Sequence, residues 1–301
     1  MTGLVYLHVG PPKTGTTSLQ LALQEAELPG FTYIGTHQPR SDYPEDRIKL
    51  LSQLARGDEL TPAESVELQE TFTTALGAGK ALIVSEEMLV VDKSEAAIRA
   101  RLRRAINYFR QELGLSVRLI LTLRDPVDAI PSYYQEIFRS LPGDMTSEFS
   151  AFARDGRAFC YDYAALMDHA HACGAETHVV EFTQLASGKV PMTALLGADC
   201  GTDAVLDLGK ANTGNKTGSG RVLPAITLAQ RLRYSRLHQL LHRAGMNRLP
   251  GWHILTSGVR KISVKPERIQ ELILPSDVLS HYTRSLVQAR EKSGDSKKRG
   301  L

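Results

Sequence analysis

Short apolar runs alternate with stretches in which apolar residues recur roughly every three to four positions, so strands alternate with helices. The first run, Leu4-Val5-Tyr6-Leu7-His8-Val9, passes through a Gly/Pro/Thr-rich turn into a helical pattern over 16–28, which Pro29-Gly30 stops. Residues 31–34 read as a short strand and 35–44 as a polar connection. A helical region over 47–76 breaks near Gly57. It restarts at Thr61-Pro62-Ala63-Glu64, where Thr61 suits the N-cap, Pro62 the first helical position and Glu64 the closing of a capping box. Ala81-Leu82-Ile83-Val84 suits a buried parallel strand, 96–113 a basic amphipathic helix and 117–123 a second strong strand. A helix holding Ser132-Tyr133-Tyr134 follows, then a mixed, largely helical region over 141–174.

Residues 178–182 read as a further strand and 184–196 as a helix interrupted at Pro191. A polar, Gly-rich stretch over 212–221 precedes two helical segments, 222–244 and 266–290. The Lys/Ser/Gly-rich residues from Glu291 on read as a disordered tail. Strands alternating with helices predict an α/β fold: a parallel sheet of about five strands flanked by helices, with the C-terminal helices packed at one side. The expected organisation is a single domain over 1–290.

Composition adds little to this picture and charge adds more. At 301 residues with 42% hydrophobic and 23% charged residues, the chain can bury a full core. No run reaches the ~18 apolar residues of a membrane span, and no basic segment precedes a signal-like apolar stretch, so a cytoplasmic protein without a transmembrane segment is expected. Cys160, Cys173 and Cys200 lack metal-like spacing and are expected as reduced thiols. The net charge is +3, but residues 221–301 carry 16 Lys/Arg against 5 Asp/Glu. Such a region either attracts an anionic partner or forms solvated helix faces. Its few interleaved aromatics argue against a nucleic-acid module.

The chemistry concentrates in two places. In Gly10-Pro11-Pro12-Lys13-Thr14-Gly15-Thr16-Thr17-Ser18 a strand meets a helix through a turn whose backbone N–H groups would converge on an anion at the helix N-terminus. The nucleotide-binding pattern is Gly, four residues, Gly, Lys, Ser/Thr. Gly10, Gly15 and Thr17 fit it, but Thr16 holds the Lys place and Lys13 lies inside the turn. The second place is Arg124-Asp125-Pro126 at a strand end, with Ser132 in the next helix. Arg124 can fork onto a phosphate, Ser132 can add a hydroxyl, and Asp125 could simply cap the helix.

With both stretches in view, the sequence resembles the sulfotransferases that use 3′-phosphoadenosine 5′-phosphosulfate (PAPS), and among them the bacterial and carbohydrate-type members. Pro12-Lys13-Thr14-Gly15-Thr16-Thr17 matches their 5′-phosphosulfate loop, and Arg124-Asp125-Pro126 with Ser132 matches their 3′-phosphate segment. The resemblance implies a P-loop-type sheet and in-line transfer of a sulfuryl group to an acceptor hydroxyl of a saccharide, glycolipid or other glycoconjugate, without a metal. It implies that Lys13 stabilises the leaving phosphate and that Thr14 to Ser18 hold the 5′-phosphate. Arg124 and Ser132 would hold the 3′-phosphate. A Glu after the next core strand would be the base, which Glu86 matches, with Glu87 and His37 as alternatives. Lys216, Thr217 and Gly218 loosely match a late loop that closes over the cofactor. Tyr133, Tyr134, Phe138 and Trp252 would either stack on a sugar or belong to the core. The rival reading is a P-loop kinase or NTPase, with Asp125 as a magnesium-holding carboxylate.

Overall fold

A computed structural model of the chain describes residues 3–38, 48–77, 81–142, 145–146, 148–209, 221–223, 226–227, 263–265 and 268–299. They form two compact units: residues 1–129, 155–213 and 279–301 belong to the first, and 130–154 and 214–278 to the second.

The first unit is α/β. Its elements begin with β1 (Leu4–His8), α1 (Thr16–Glu25), β2 (Phe31–Gly35), α2 (Lys49–Arg56), α3 (Pro62–Leu76) and β3 (Ala81–Ser85). They continue with α4 (Glu95–Asn107), β4 (Ser116–Leu123), the start of α5 (Pro126–Ile137), and β5 (Glu176–Glu181). The five strands pair in parallel in the order β2-β3-β1-β4-β5, so β1 is central. Both faces of β1 are covered, which is why its apolar run is continuous. Tyr6 packs with Leu19, Leu23, Phe31 and Ile83 on one face, while Val5 and Leu7 alternate onto the other and are fully buried.

Local signals worked where they were strongest. Gly57 ends α2 with φ 89°, a left-handed conformation that suits glycine. The Thr61 side chain accepts from the Glu64 N–H, and the Glu64 carboxylate accepts from the Thr61 N–H at 2.8 Å, completing the capping box with Pro62 at the first turn.

Three stretches depart from the expected elements. Residues 184–196 are not one interrupted helix. Phe182–Ala186 and Met192–Leu196 are short helices around β6 (Lys189–Pro191), which pairs antiparallel with β7 (Val205–Asp207) and buries Val190 against Leu206. Residues 221–223 and 226–227 are strands rather than helix, in keeping with β-branched Val222, Ile226 and Thr227 on either side of Pro224. Residues 263–265 and 268–270 are also strands. The last helix starts at Ser276, after Pro275, rather than near residue 266, because proline disfavours helix in the residue before it. That helix, Ser276–Arg299, continues through the Lys/Ser-rich residues after Glu291.

Part of the C-terminal charge is engaged within the first unit. Arg290 makes a two-pronged contact to Glu181 at 2.7 and 2.9 Å, and Lys292 pairs with Asp168. Buried Ser285 donates to Asp162 at 2.7 Å and accepts from the Ala164 N–H. No helix among the described residues is long and apolar enough to cross a membrane, and Cys160, Cys173 and Cys200 are free thiols.

The second unit holds an aromatic cluster and two short antiparallel strand pairs. Tyr134 meets Phe138, Phe149 and Phe152 with centroids 5.1–5.5 Å apart, and Tyr133 packs on Phe152. All five rings are buried. Tyr133, Tyr134 and Phe138 are therefore core, not a sugar platform; Trp252 lies outside the described residues.

Candidate functional site

The candidate site lies at the carboxyl ends of β1, β3 and β4, the edge at which parallel α/β sheets bind ligands. The turn after β1 is held from within. Val9 N–H donates to Ile120 O, Thr14 Oγ1 donates to Pro11 O at 2.6 Å, and Thr16 Oγ1 donates to Gly10 O at 3.3 Å. Buried Tyr161 donates its hydroxyl to Pro12 O at 2.7 Å. Thr14 and Thr16 are thus turned inward, while Lys13 and Thr17 are exposed and Ser18 is half-buried. Lys13 takes φ 66° and Gly15 φ 88°, so two residues of the turn are left-handed. Gly15 is the N-cap of α1 and supplies no side-chain bond to it. The first N–H groups of that helix are therefore left to an outside acceptor.

Gly10 is required by close approach. A Cβ there would lie 2.6 Å from Thr16 Oγ1 and 3.0 Å from His8 Nε2 and Thr14 Oγ1. Gly10→Ala is expected to destabilise the protein by about 1–3 kcal/mol, read as a lower urea midpoint, because the loop must shift to admit the methyl. An unchanged midpoint would show that the turn is not packed this way.

Arg124 follows β4 directly. Its backbone is clamped by buried Tyr163, whose hydroxyl donates to Arg124 O at 2.8 Å. Its guanidinium lies 4.5 Å from the centre of the Phe182 ring and donates to Lys13 O at 2.5 Å. The two sequence stretches, 111 residues apart, therefore meet, with Phe182 beneath Arg124 and beside Gly15. Asp125 takes the capping role: its carboxylate accepts from Val127 N–H at 2.9 Å, and its carbonyl accepts from Asp128 and Ala129. Ser132 lies on α5 in the second unit and is half-buried. Lys216, Thr217 and Gly218 lie outside the described residues.

Glu86 follows β3 and is 3% exposed. One carboxylate oxygen accepts from Met88 N–H at 2.7 Å; the other accepts from Thr36 Oγ1 at 3.1 Å and Ser52 Oγ at 3.2 Å. The carboxylate caps the short 3-10 turn Glu87–Val90 and also lines a cavity of about 330 Å³ with Thr36 and Ser52. Glu87 is half-buried within the 3-10 turn, and His37 follows Thr36 beyond β2.

Beneath the turn lies a polar network that the sequence reading did not single out. His8 Nδ1 is hydrogen-bonded to Ser85 Oγ at 2.9 Å and Nε2 to Thr122 Oγ1 at 3.2 Å. Gln20 Nε2 also donates to Ser85, and Gln20 Oε1 accepts from Gln38. Burial pushes the His8 pKa down from 6.5 to about 4. The available signal was a polar residue closing an otherwise apolar run.

Neither a protein-family model nor a curated protein matches the chain.

Proposed function

We propose that the protein is a PAPS-dependent sulfotransferase that transfers a sulfuryl group to an acceptor hydroxyl, of the carbohydrate type that its two motifs resemble. The observation that carries this reading is the contact between Arg124 and the backbone of Lys13, which brings the two motif-bearing stretches to one end of the sheet. The α1 N-terminus, whose N-cap Gly15 offers no side-chain bond, suits an anion.

In this reading the N–H groups at the start of α1 hold the 5′-phosphate and Arg124 holds the 3′-phosphate. The Lys13 ammonium neutralises charge that develops on the leaving phosphate oxygen. Glu86 accepts the acceptor's hydroxyl proton, with Glu87 and His37 as the alternative bases. Sulfuryl transfer resembles phosphoryl transfer, so positioning and charge stabilisation supply most of the rate. The kinase reading is less well supported. Thr16 stands in the Lys position with its hydroxyl turned to Gly10 O, and the Asp125 carboxylate caps α5.

Calorimetry tests the assignment. The wild type is expected to prefer 3′,5′-adenosine bisphosphate over ATP and AMP, and Arg124→Ala to bind the bisphosphate about tenfold to a hundredfold more weakly, the loss of charge-assisted bonds. Magnesium-dependent ATP binding without bisphosphate preference would overturn the reading.

A further inference from the structure

We infer that the cavity beside Glu86 takes a small hydroxylated molecule that also carries an acidic group; calling it the sulfuryl acceptor rests on the function proposed above. The cavity measures about 330 Å³, at the small end of the range for small-molecule sites and too small for an extended polymer surface. Its polar end is made of Glu86, Thr36 and Ser52, groups that can exchange hydrogen bonds with a hydroxyl. Its apolar lining includes Ile48, Ala55, Leu89 and Met88.

The cations come from α2. Lys49, Ser52 and Arg56 are spaced i, i+3, i+7, which sets them along one helix face, and all three line the cavity. Lys49 is exposed. Arg56 contacts Asp58 at 2.9 Å, with both side chains about half exposed, so exchanging that partner for a ligand carboxylate costs little. Arg101 also lines the cavity, but its guanidinium is held by Asp92 and by the carbonyls of Met88 and Val91, so it builds the wall. A ligand with its hydroxyl at Glu86 and its carboxylate toward Lys49 and Arg56 satisfies both ends. A neutral polyol satisfies only one.

The experiment titrates methyl glucuronide and methyl glucoside by ligand-observed NMR into wild type, Lys49→Gln/Arg56→Gln and Glu86→Gln. Circular dichroism checks the fold, and bisphosphate binding is measured on the same samples. The glucuronide is expected to bind more tightly than the glucoside. The double variant is expected to weaken the glucuronide about tenfold without changing the glucoside or the bisphosphate. Glu86→Gln is expected to weaken both sugars. Equal binding of the two sugars, binding of neither, or a double variant indistinguishable from wild type overturns the inference. If the bisphosphate still binds in that case, the sulfotransferase reading survives. Selective glucuronide binding without any bisphosphate binding would keep the acidic-ligand site and sink the transfer reading.

Discussion

Lys13→Ala is expected to fold normally, to bind 3′,5′-adenosine bisphosphate with nearly the wild-type affinity, and to lose about a hundredfold to a thousandfold in turnover. The side chain is exposed, and the contacts that shape the turn come from other groups as well. Thr14, Thr16 and Tyr161 hold the turn through carbonyls, and Arg124 reaches the Lys13 carbonyl, which alanine retains. Alanine also meets the same left-handed φ that lysine already tolerates. What disappears is a positive charge that, on the proposed mechanism, is needed only as charge develops on the departing oxygen. The measurement is bisphosphate released from PAPS, with the wild type's best acceptor, beside calorimetric binding. Full turnover in the variant would refute the role, and equal losses in binding and turnover would make Lys13 a ground-state ligand instead. Lys13→Arg keeps the charge in a planar group and should recover only part of the rate.

The second large effect is on stability. Between pH 6.5 and 4 the wild type is expected to lose up to about 3 kcal/mol through His8 alone. His8 titrates at about 4 in the folded state against 6.5 for the unperturbed group, and each pKa unit corresponds to about 1.36 kcal/mol. Burial keeps the imidazole neutral, so the unfolded chain binds the extra proton in this range and stability falls as pH falls. The contribution is fully present above 6.5 and gone once the pH reaches the folded-state value. Urea midpoints at pH 7, 6, 5 and 4 for wild type and His8→Gln measure it. The variant starts lower, because Ser85 and Thr122 lose imidazole partners. Its curve should nonetheless be flatter, since the carboxylates titrate in both proteins and only the wild type adds the His8 proton. Parallel curves would show that His8 does not drive the pH dependence.

Much of the sheet was legible because its signals are local. A continuous run such as residues 81–84 is long enough for a strand and too short for a helix, and the Thr61-to-Glu64 box starts a helix wherever it occurs. Residues 184–196 were misjudged for the complementary reason. Lys189–Pro191 becomes a strand only because Val205–Asp207, well downstream, pairs with it. The aromatic residues of α5 were ambiguous because a buried ring and a sugar-stacking ring have the same composition, and only burial separates them.

The same division runs through the candidate site. Gly10, Lys13, Gly15 and Thr17 were visible as a turn because glycine spacing and a strand–helix junction are properties of adjacent residues. Sequence could not tell whether the Asp125 carboxylate meets the helix N-terminus; in the fold it accepts from the Val127 N–H, two residues on. Nor could it tell which carboxylate is set into a cavity. Glu86 meets Thr36 from 50 residues away and Ser52 from 34, and those meetings follow from the pairing of β2 with β3 and the position of α2. Sequence by itself determined most elements of the parallel sheet, their alternation with helices and the glycine-spaced turn after β1, because backbone preference and period act over a few residues. Tertiary structure alone decided that His8 is buried and neutral, that Arg124 reaches Lys13, and that Glu86 faces a cavity lined by Lys49 and Arg56. Desolvation and hydrogen bonding between distant residues exist only once the sheet has closed around them.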